Sequence, residues 1–249
     1  MFGKKKAAVI TDAVQRKINS QKILNEKTTF NVRESFNELR TNVVFSMPDK
    51  GTKKVLVTSS IASEGKSTTC LNMAITFADS GAKTLLIDCD LRCPNVGKLF
   101  NDNGKKGLSN ILVNDCNIKD ALHETRYKNL DVILSGSVPP NPTELLSSDS
   151  MKDLVDELSK NYDYIFFDAP PVNVVADASI ISRIASGVIV VCRQYVTEKK
   201  MLSSALEKLK FVDAKILGII LNDVSVDKTS YGRYGNYNKY AYSVSDDKN

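Results

Sequence analysis

The sequence has no tryptophan and only one histidine, His123. His123 lies in a mixed polar segment where we expect it to face solvent, so the chain offers no histidine-based catalytic triad. The five cysteines are odd in number and lack the spacing of a zinc site. This pattern argues against both a disulfide framework and structural zinc, and reduced thiols are therefore expected.

Long apolar runs are also missing, since no stretch approaches the roughly 18 residues that span a bilayer as a helix. No signal-peptide pattern is visible, so we expect a cytoplasmic chain. The formal net charge is +5, but no long basic stripe accompanies it, and nucleic-acid binding is not expected. The hydrophobic content of 42% fits a soluble α/β protein with a sizeable core.

Short apolar runs alternate with helix-like segments through most of the chain. The runs predicted as strands are Val55–Thr58, Thr84–Asp88, Leu130–Leu134, Tyr164–Asp168, Val188–Cys192 and Ile216–Leu221. Continuous apolar strands that alternate with helices indicate an α/β fold, with a mostly parallel sheet and helices on both faces. In such sheets, ligands bind at the carboxyl ends of the strands.

Composition divides the chain into three segments. Residues 1–30 form a polar N-terminal arm, and the pair Asn31 and Glu34 predicts a capped helix start at Asn31. Residues 31–226 form the predicted globular domain. Residues 227–249 have few aliphatic residues and many Gly, Ser, Asn and Tyr, so we expect this tail to be mobile.

Residues 54–69 have the layout of a phosphate-binding loop: a strand-like run, a loop of small residues and a helix-like pattern. Gly65 allows close backbone approach, Lys66 can bring positive charge to the β- and γ-phosphates, and the Ser67 hydroxyl suits Mg²⁺. The helix N-terminus adds partial positive charge. Ser60 departs from the general pattern, which has glycine there. The nucleotide-binding residues predicted in the loop are Ser60, Ile61, Ala62, Ser63, Glu64, Gly65, Lys66, Ser67 and Thr68.

Two aspartate motifs follow predicted strands. Asp88 and Asp90 come after the second strand, and Asp168 ends the fourth. Carboxylates in these places suit Mg²⁺ binding or proton abstraction, and a strand that ends in aspartate is typical of the second magnesium element of P-loop enzymes. Arg92 is a further candidate for nucleotide binding. Asn222, after the last strand, is either an adenine contact or a turn residue.

Five of the nine tyrosines lie in the tail, at Tyr231, Tyr234, Tyr237, Tyr240 and Tyr242. A helical aromatic face is disfavoured by Gly232 and Gly235. A surface that stacks on RNA usually carries more arginine and lysine than this tail has. Accessible hydroxyls on a flexible backbone instead favour a segment that accepts phosphate.

These motifs, in this order, resemble bacterial tyrosine autokinases of the capsular and exopolysaccharide type, in their two-protein Gram-positive form. The motifs that carry the resemblance are the Ser59-to-Thr68 loop, Asp88-x-Asp90-x-Arg92, Phe167-to-Pro171 and the terminal tyrosines. They cover roughly residues 30–245. The family often lacks the first loop glycine, whereas related partition and cell-division ATPases usually carry a lysine where this chain has Ile61.

The resemblance implies a P-loop NTPase-like kinase that uses ATP and Mg²⁺ to phosphorylate its own tail in trans. It implies catalytic roles for Lys66, Asp88, Asp90 and Asp168, and a metal site at Ser67, Asp90 and Asp168. Asp88 is the first choice for the base that accepts the tyrosine proton, although the residues alone leave Asp88 and Asp90 open.

The resemblance also implies partners. These are a transmembrane modulator that recruits the kinase to the inner face of the membrane, a cognate tyrosine phosphatase, and further copies of the chain in a ring. The family's ring helix carries Glu-x-x-Arg-x-x-Arg, but this chain has Glu34, Asn37 and Arg40, so one arginine is missing.

Two other functions compete with the kinase. The first is an ATPase switch of the partition or cell-division type, which would direct water at the phosphate but has no need for five clustered tyrosines. The second is a nucleotide-binding scaffold whose tail another kinase modifies. Such a scaffold would have lost its own catalytic activity. The chain keeps the complete set Lys66, Asp88, Asp90 and Asp168, which argues against this second function.

Overall fold

The computed structural model describes residues 22–100 and 106–225. Its seven-stranded sheet has the order β3-β4-β2-β5-β1-β6-β7. The strands are β1 (Lys53–Ser59), β2 (Thr84–Asp88), β3 (Leu122–Glu124), β4 (Leu130–Ile133), β5 (Tyr164–Asp168), β6 (Gly187–Arg193) and β7 (Ile216–Asn222). The helices are α1 (Phe30–Ser46), α2 (Lys66–Asp79), α3 (Val96–Phe100), α4 (Leu108–Leu112), α5 (Ile118–Ala121), α6 (Pro142–Leu146), α7 (Asp149–Leu158), α8 (Asp177–Ile181) and α9 (Lys199–Phe211).

The central strands are parallel, and the predicted fold class is confirmed. All five residues of β2 are buried, as are four of the five in β5, which explains why both read as unbroken apolar runs. Among the strands of the described residues, β3 alone runs antiparallel, beside β4. This short strand was missed in the sequence because three residues carry too little periodicity. It holds His123, which is half-buried rather than fully exposed.

Helices cover both faces of the sheet. Successive strand residues point to opposite faces, so Val55 and Val57 join the cluster that contains α2, while Leu56 joins the cluster that contains Leu154 of α7 and Leu209 of α9. The two clusters hold the sheet between layers of helix. This arrangement fixes the strand ends at which the site forms.

The amino-terminal boundary differs from the predicted one. Helix α1 begins at Phe30, with Thr29 as its N-cap, and no side chain caps it by a hydrogen bond; the Asn31 capping prediction was wrong. Ile23 and Leu24, within the predicted arm, are buried. The Leu24 amide donates a 2.9 Å hydrogen bond to the Asn72 side chain, so this part of the arm is anchored to α2.

Some predicted segments lie outside the described residues. They include residues 1–21 of the arm and the tail 227–249 with its five tyrosines, Tyr231, Tyr234, Tyr237, Tyr240 and Tyr242. Within the described ranges, no helix is both long enough and apolar enough to cross a membrane.

Candidate active site

The phosphate-binding loop joins β1 to α2 at the carboxyl edge of the sheet. Gly65 adopts a left-handed conformation, with φ of +90°, directly before α2. A Cβ atom on Gly65 would lie 2.1 Å from Asn222 Nδ2, so both the backbone angle and the available space require glycine. Helix α2 has 14 residues and directs the partial positive charge of its N-terminus at this loop.

Lys66 lies among the aspartates that the sequence singled out. Its Nζ atom is 3.0 Å from Asp90 Oδ2 and 3.4 Å from Asp168 Oδ1, and it lies 3.3 Å from Ser67 Oγ. Burial alone lowers the pKa of Lys66, but the charges of Asp168 and Asp90 outweigh it and raise the pKa above its ordinary value. Lys66 is therefore a fixed positive charge at any physiological pH.

Asp88 and Asp168 are paired residues at the ends of the adjacent strands β2 and β5, and both side chains are fully buried. Backbone amides of Asp90 and Val96 each donate a 3.1 Å hydrogen bond to Asp88. Burial, followed by the charge of Asp168, raises the pKa of Asp88 to about 8, although Lys66 opposes the shift. Burial also raises the pKa of Asp168, against the effects of Lys66 and Ser67.

The surroundings of Asp168 fit a divalent cation. Its Oδ2 atom is buried and has no hydrogen-bond partner among the described residues. An unpaired buried carboxylate oxygen is costly, and a cation or a water bound to a cation would satisfy it. The described residues contain no group of three or more His, Cys, Asp or Glu that could hold a metal. Mg²⁺, however, usually needs only one or two carboxylates, with phosphate oxygens and water.

Within the loop, the Glu64 side chain turns inward. It accepts hydrogen bonds from the Ser60 hydroxyl at 2.9 and 3.0 Å and from the Ile61 amide at 2.8 Å. The Thr197 hydroxyl donates a further hydrogen bond to it. The side chains of Ser60 and Glu64 therefore shape the loop from within, and the Ile61 amide is already paired.

Asn222 ends β7 beside the loop. Its Nδ2 donates a 3.0 Å hydrogen bond to the Glu64 carbonyl oxygen, and the same atom fills the space above Gly65. Asn222 thus has a structural role in the loop. Its contact with adenine stays a prediction.

Arg92 points to partners that the sequence did not indicate. Its Nε and Nη2 atoms contact the two carboxylate oxygens of Asp177 at 2.9 and 3.4 Å, and Nη2 donates a 2.7 Å hydrogen bond to the Thr143 hydroxyl. The hydrogen bond with the fully buried Asp177 raises the pKa of Arg92 above its ordinary value. The contacts tie the loop after β2 to α6 and α8, while nucleotide binding by Arg92 stays a prediction.

Sequence reasoning missed Thr143, Asp177 and Thr197. Asp177 offered one signal, because it is the one charged residue within residues 172–181. Thr143 and Thr197 gave none, since single threonines near helix starts are common caps. Their roles depend on contacts between segments far apart in the chain.

Comparison with known proteins identifies the family. The family model described as an AAA domain matches residues 52–217. "Tyrosine-protein kinase YwqD" of Bacillus subtilis (strain 168) is 42% identical over 203 residues, which cover 81% of this chain and 86% of that protein. "Putative tyrosine-protein kinase CapB" of Staphylococcus aureus is 36% identical over 214 residues, which cover 85% and 94%.

The chain belongs to the bacterial tyrosine kinases of the capsular type. A solved structure, "Crystal structure of the chimerical protein CapA2B2", superposes with a TM-score of 0.77 at 35% identity and covers 81% of this chain and 88% of that one. The P-loop NTPase-like fold and the tyrosine-kinase activity are confirmed, and the kinase is favoured over the ATPase switch. Nucleotide binding follows from the same fold.

Proposed function

We propose that this tyrosine kinase transfers the γ-phosphate of ATP to tyrosines of its own tail, residues 227–249, and thereby regulates the synthesis or export of a capsular or extracellular polysaccharide. The observation that carries the proposal is the cluster of Lys66 with Asp90 and Asp168 at the loop, beside the buried Asp88. Phosphoryl transfer depends mainly on positioning and charge stabilisation, and this cluster supplies both.

In this mechanism Lys66 and the free loop amides hold the β- and γ-phosphates. Without nucleotide, Lys66 forms ion pairs with Asp90 and Asp168. When ATP binds, the phosphate oxygens would replace these carboxylates as the negative partners of Lys66. Ser67 and Asp168, with Asp90, would hold Mg²⁺, and the unpaired Asp168 Oδ2 supports that assignment. Bound there, Mg²⁺ would neutralise charge that develops on the phosphate oxygens.

Asp88 is proposed as the base. A tyrosine hydroxyl has a pKa of about 10, so a nearby carboxylate must accept its proton as the new bond forms. A carboxylate whose pKa is raised to about 8 matches that requirement better than an ordinary one, because the best general bases have pKa values near the working pH. In this assignment, Asp90 forms the ion pair with Lys66 and helps to hold the metal.

We further propose that a neighbouring subunit presents the tail. Helix α1 would take part in a ring through Glu34 and Arg40, and its exposed apolar residues, Phe30, Val32, Val44 and Phe45, support an interface. Asn37, at the position of the missing arginine, donates a 2.8 Å hydrogen bond to Glu34. A cytoplasmic kinase of this kind would need a transmembrane modulator to bring it to the membrane and a tyrosine phosphatase to reset its tail.

The experiment is a phosphotyrosine blot of the full chain after incubation with ATP and Mg²⁺, with and without the modulator's cytoplasmic segment. We expect a signal that disappears in Lys66→Met and in a chain truncated after Asp227. Strong labelling of Lys66→Met alone would contradict the proposed function.

A further inference from the structure

Glu64 is an unusual residue for its position. It lies in a loop that receives phosphates, yet it is an acidic residue and is fully buried. A negative charge close to a phosphate is unfavourable, and a buried carboxylate costs free energy unless its oxygens are hydrogen-bonded. The partners of Glu64 therefore decide what the residue does in the loop.

Those partners all donate to the carboxylate. The Ser60 hydroxyl lies within hydrogen-bond distance of both oxygens and shares its one proton between them, the Ile61 amide donates to Oε2, and the Thr197 hydroxyl donates to Oε1. A carboxylate is an acceptor on both oxygens, whereas a glutamine side chain accepts on one side and donates on the other. The Ile61 amide can only donate, whereas the two hydroxyls can also accept. Glutamine would therefore keep part of the network but lose its charge-assisted hydrogen bonds, which favours glutamate.

The same residue connects the loop to two other segments. Thr197 precedes α9, and its hydroxyl also accepts a 2.7 Å hydrogen bond from the Arg193 amide at the end of β6. The Glu64 carbonyl oxygen accepts from Asn222 at the end of β7. Glu64 thus joins the phosphate-binding loop to the ends of the two strands next to β1 on that side of the sheet.

We propose that Glu64 is a positioning residue for nucleotide binding, whose buried carboxylate fixes the phosphate-binding loop by gathering Ser60, the Ile61 amide and Thr197. The inference rests on the proposed nucleotide site and adds a role for the Glu64 side chain. It also explains Ser60, which stands where the general loop pattern has glycine. The hydroxyl of Ser60 contacts both carboxylate oxygens of Glu64, so the two residues act as a pair.

Glu64→Gln in the full chain tests the proposal by isothermal titration with ATP and Mg²⁺. A hydrogen bond to a charged group is worth enough to change an equilibrium by about tenfold or more, so we expect the dissociation constant for ATP to rise at least about tenfold. Glu198→Gln is the matched control, since Glu198 is an exposed carboxylate one residue from Thr197. It should bind ATP within about twofold of wild type, as expected for a surface change.

A second pair of variants separates positioning from folding. Thr197→Val removes the hydroxyl but keeps the shape of the side chain and should weaken ATP binding, whereas Thr197→Ser keeps the hydroxyl and should restore it. A purely structural role would instead lower the melting temperature of the nucleotide-free protein and leave ATP affinity below that temperature unchanged.

Wild-type affinity in folded Glu64→Gln would overturn the proposal. If that variant does not fold, wild-type affinity in Thr197→Val would overturn it instead. These variants are compared by ATP affinity, not by tyrosine phosphorylation. A wild type that binds ATP but labels no tyrosine would therefore contradict the proposed function, while the comparison of ATP affinities would still test the role of Glu64.

Discussion

At the scale of single residues, the backbone conformation and the available space both limit the choice of residue at Gly65. Its φ of +90° and the Asn222 amide, 2.1 Å from where a Cβ atom would stand, act together. Gly81 offers a comparison, because its φ is +96° and no atom lies within 4 Å of its would-be Cβ. Both glycines have a positive φ, but only Gly65 has another atom close to where a Cβ would lie.

Gly65→Ala should therefore weaken ATP binding by about tenfold or more, because either the loop must shift or the Asn222 side chain must give up its hydrogen bond to the Glu64 carbonyl oxygen. Gly81→Ala carries similar backbone strain and should leave ATP affinity within about twofold of wild type. Calorimetric titration of both variants, with melting curves to confirm folding, measures the difference. Equal losses in the two variants would show that strain alone is responsible.

Asp88→Asn tests the assignment of the base. The variant removes the proton acceptor but keeps the size of the side chain, so transfer to tyrosine should fall by about 10²-fold or more. ATP affinity should stay within about tenfold, because Asp88 contacts backbone amides rather than Lys66 directly. Rates of phosphotyrosine formation and ATP titrations separate the two effects. Labelling at the wild-type rate would move the role of base to Asp90.

The residues of the site differ in how far the sequence revealed them. Lys66, Ser67 and Asp168 could be predicted because strand, loop and helix patterns place them at one sheet edge. The inward turn of Glu64 could not be predicted in full, since one of its partners, Thr197, is 133 positions away in the chain. The same is true of Arg92, whose partner Asp177 is 85 positions away.

At the scale of elements, the loop after β2 is held by Arg92, which connects it to Asp177 of α8 and Thr143 of α6. Thr143 also donates a 2.8 Å hydrogen bond to Asp177, so the three side chains form a closed network. Asp177 is fully buried, whereas the Arg92 side chain is 39% exposed. Partial exposure weakens the ion pair, but loss of Arg92 would leave a buried carboxylate without its cation.

Arg92→Leu should therefore lower the free energy of unfolding by about 2 kcal/mol, the order expected for a hydrogen bond to a charged group. Arg92→Leu combined with Asp177→Asn should recover part of that loss, because the unpaired charge is gone. Urea unfolding of the single and double variants gives the coupling. Additive losses would mean that the two residues act independently.

Among the elements, the parallel strands were predictable and the small ones were not. Six of the seven strands appear as apolar runs in the sequence. Burial on both faces explains this for β2, β5 and β6, whereas β7 is apolar although several of its residues are exposed. The short elements β3, α3, α5 and α8 span three to five residues each, which is too little for a periodic pattern. They form because the larger sheet and its loops place them.

At the scale of the whole molecule, the site costs stability. Burial raises the folded-state pKa values of Asp88 and Asp168, so the folded protein holds protons more tightly than the unfolded chain. When the folded state binds more protons, the free energy of unfolding falls as pH rises. The loss extends from the ordinary pKa of 3.8 to about 8 for Asp88.

Nucleotide-free protein in chelator should therefore lose stability between about pH 4 and pH 8. Asp88→Asn should flatten that dependence, whatever its stability at any single pH. Urea unfolding across the range measures the slope in both proteins. A wild-type stability that rises steadily with pH, or identical slopes in the two proteins, would contradict the pKa shifts.

The central claim is that the Lys66 site of one subunit phosphorylates the tail of another. The most direct measurement mixes full-length Lys66→Met, which has a tail but no active site, with a chain truncated after Asp227, which has the site but no tail. After incubation with ATP and Mg²⁺, mass spectrometry should find phosphotyrosine among residues 231–242 of the Lys66→Met chain only when both proteins are present. Absence of phosphate from that tail, under conditions in which wild type labels itself, would contradict transfer between subunits.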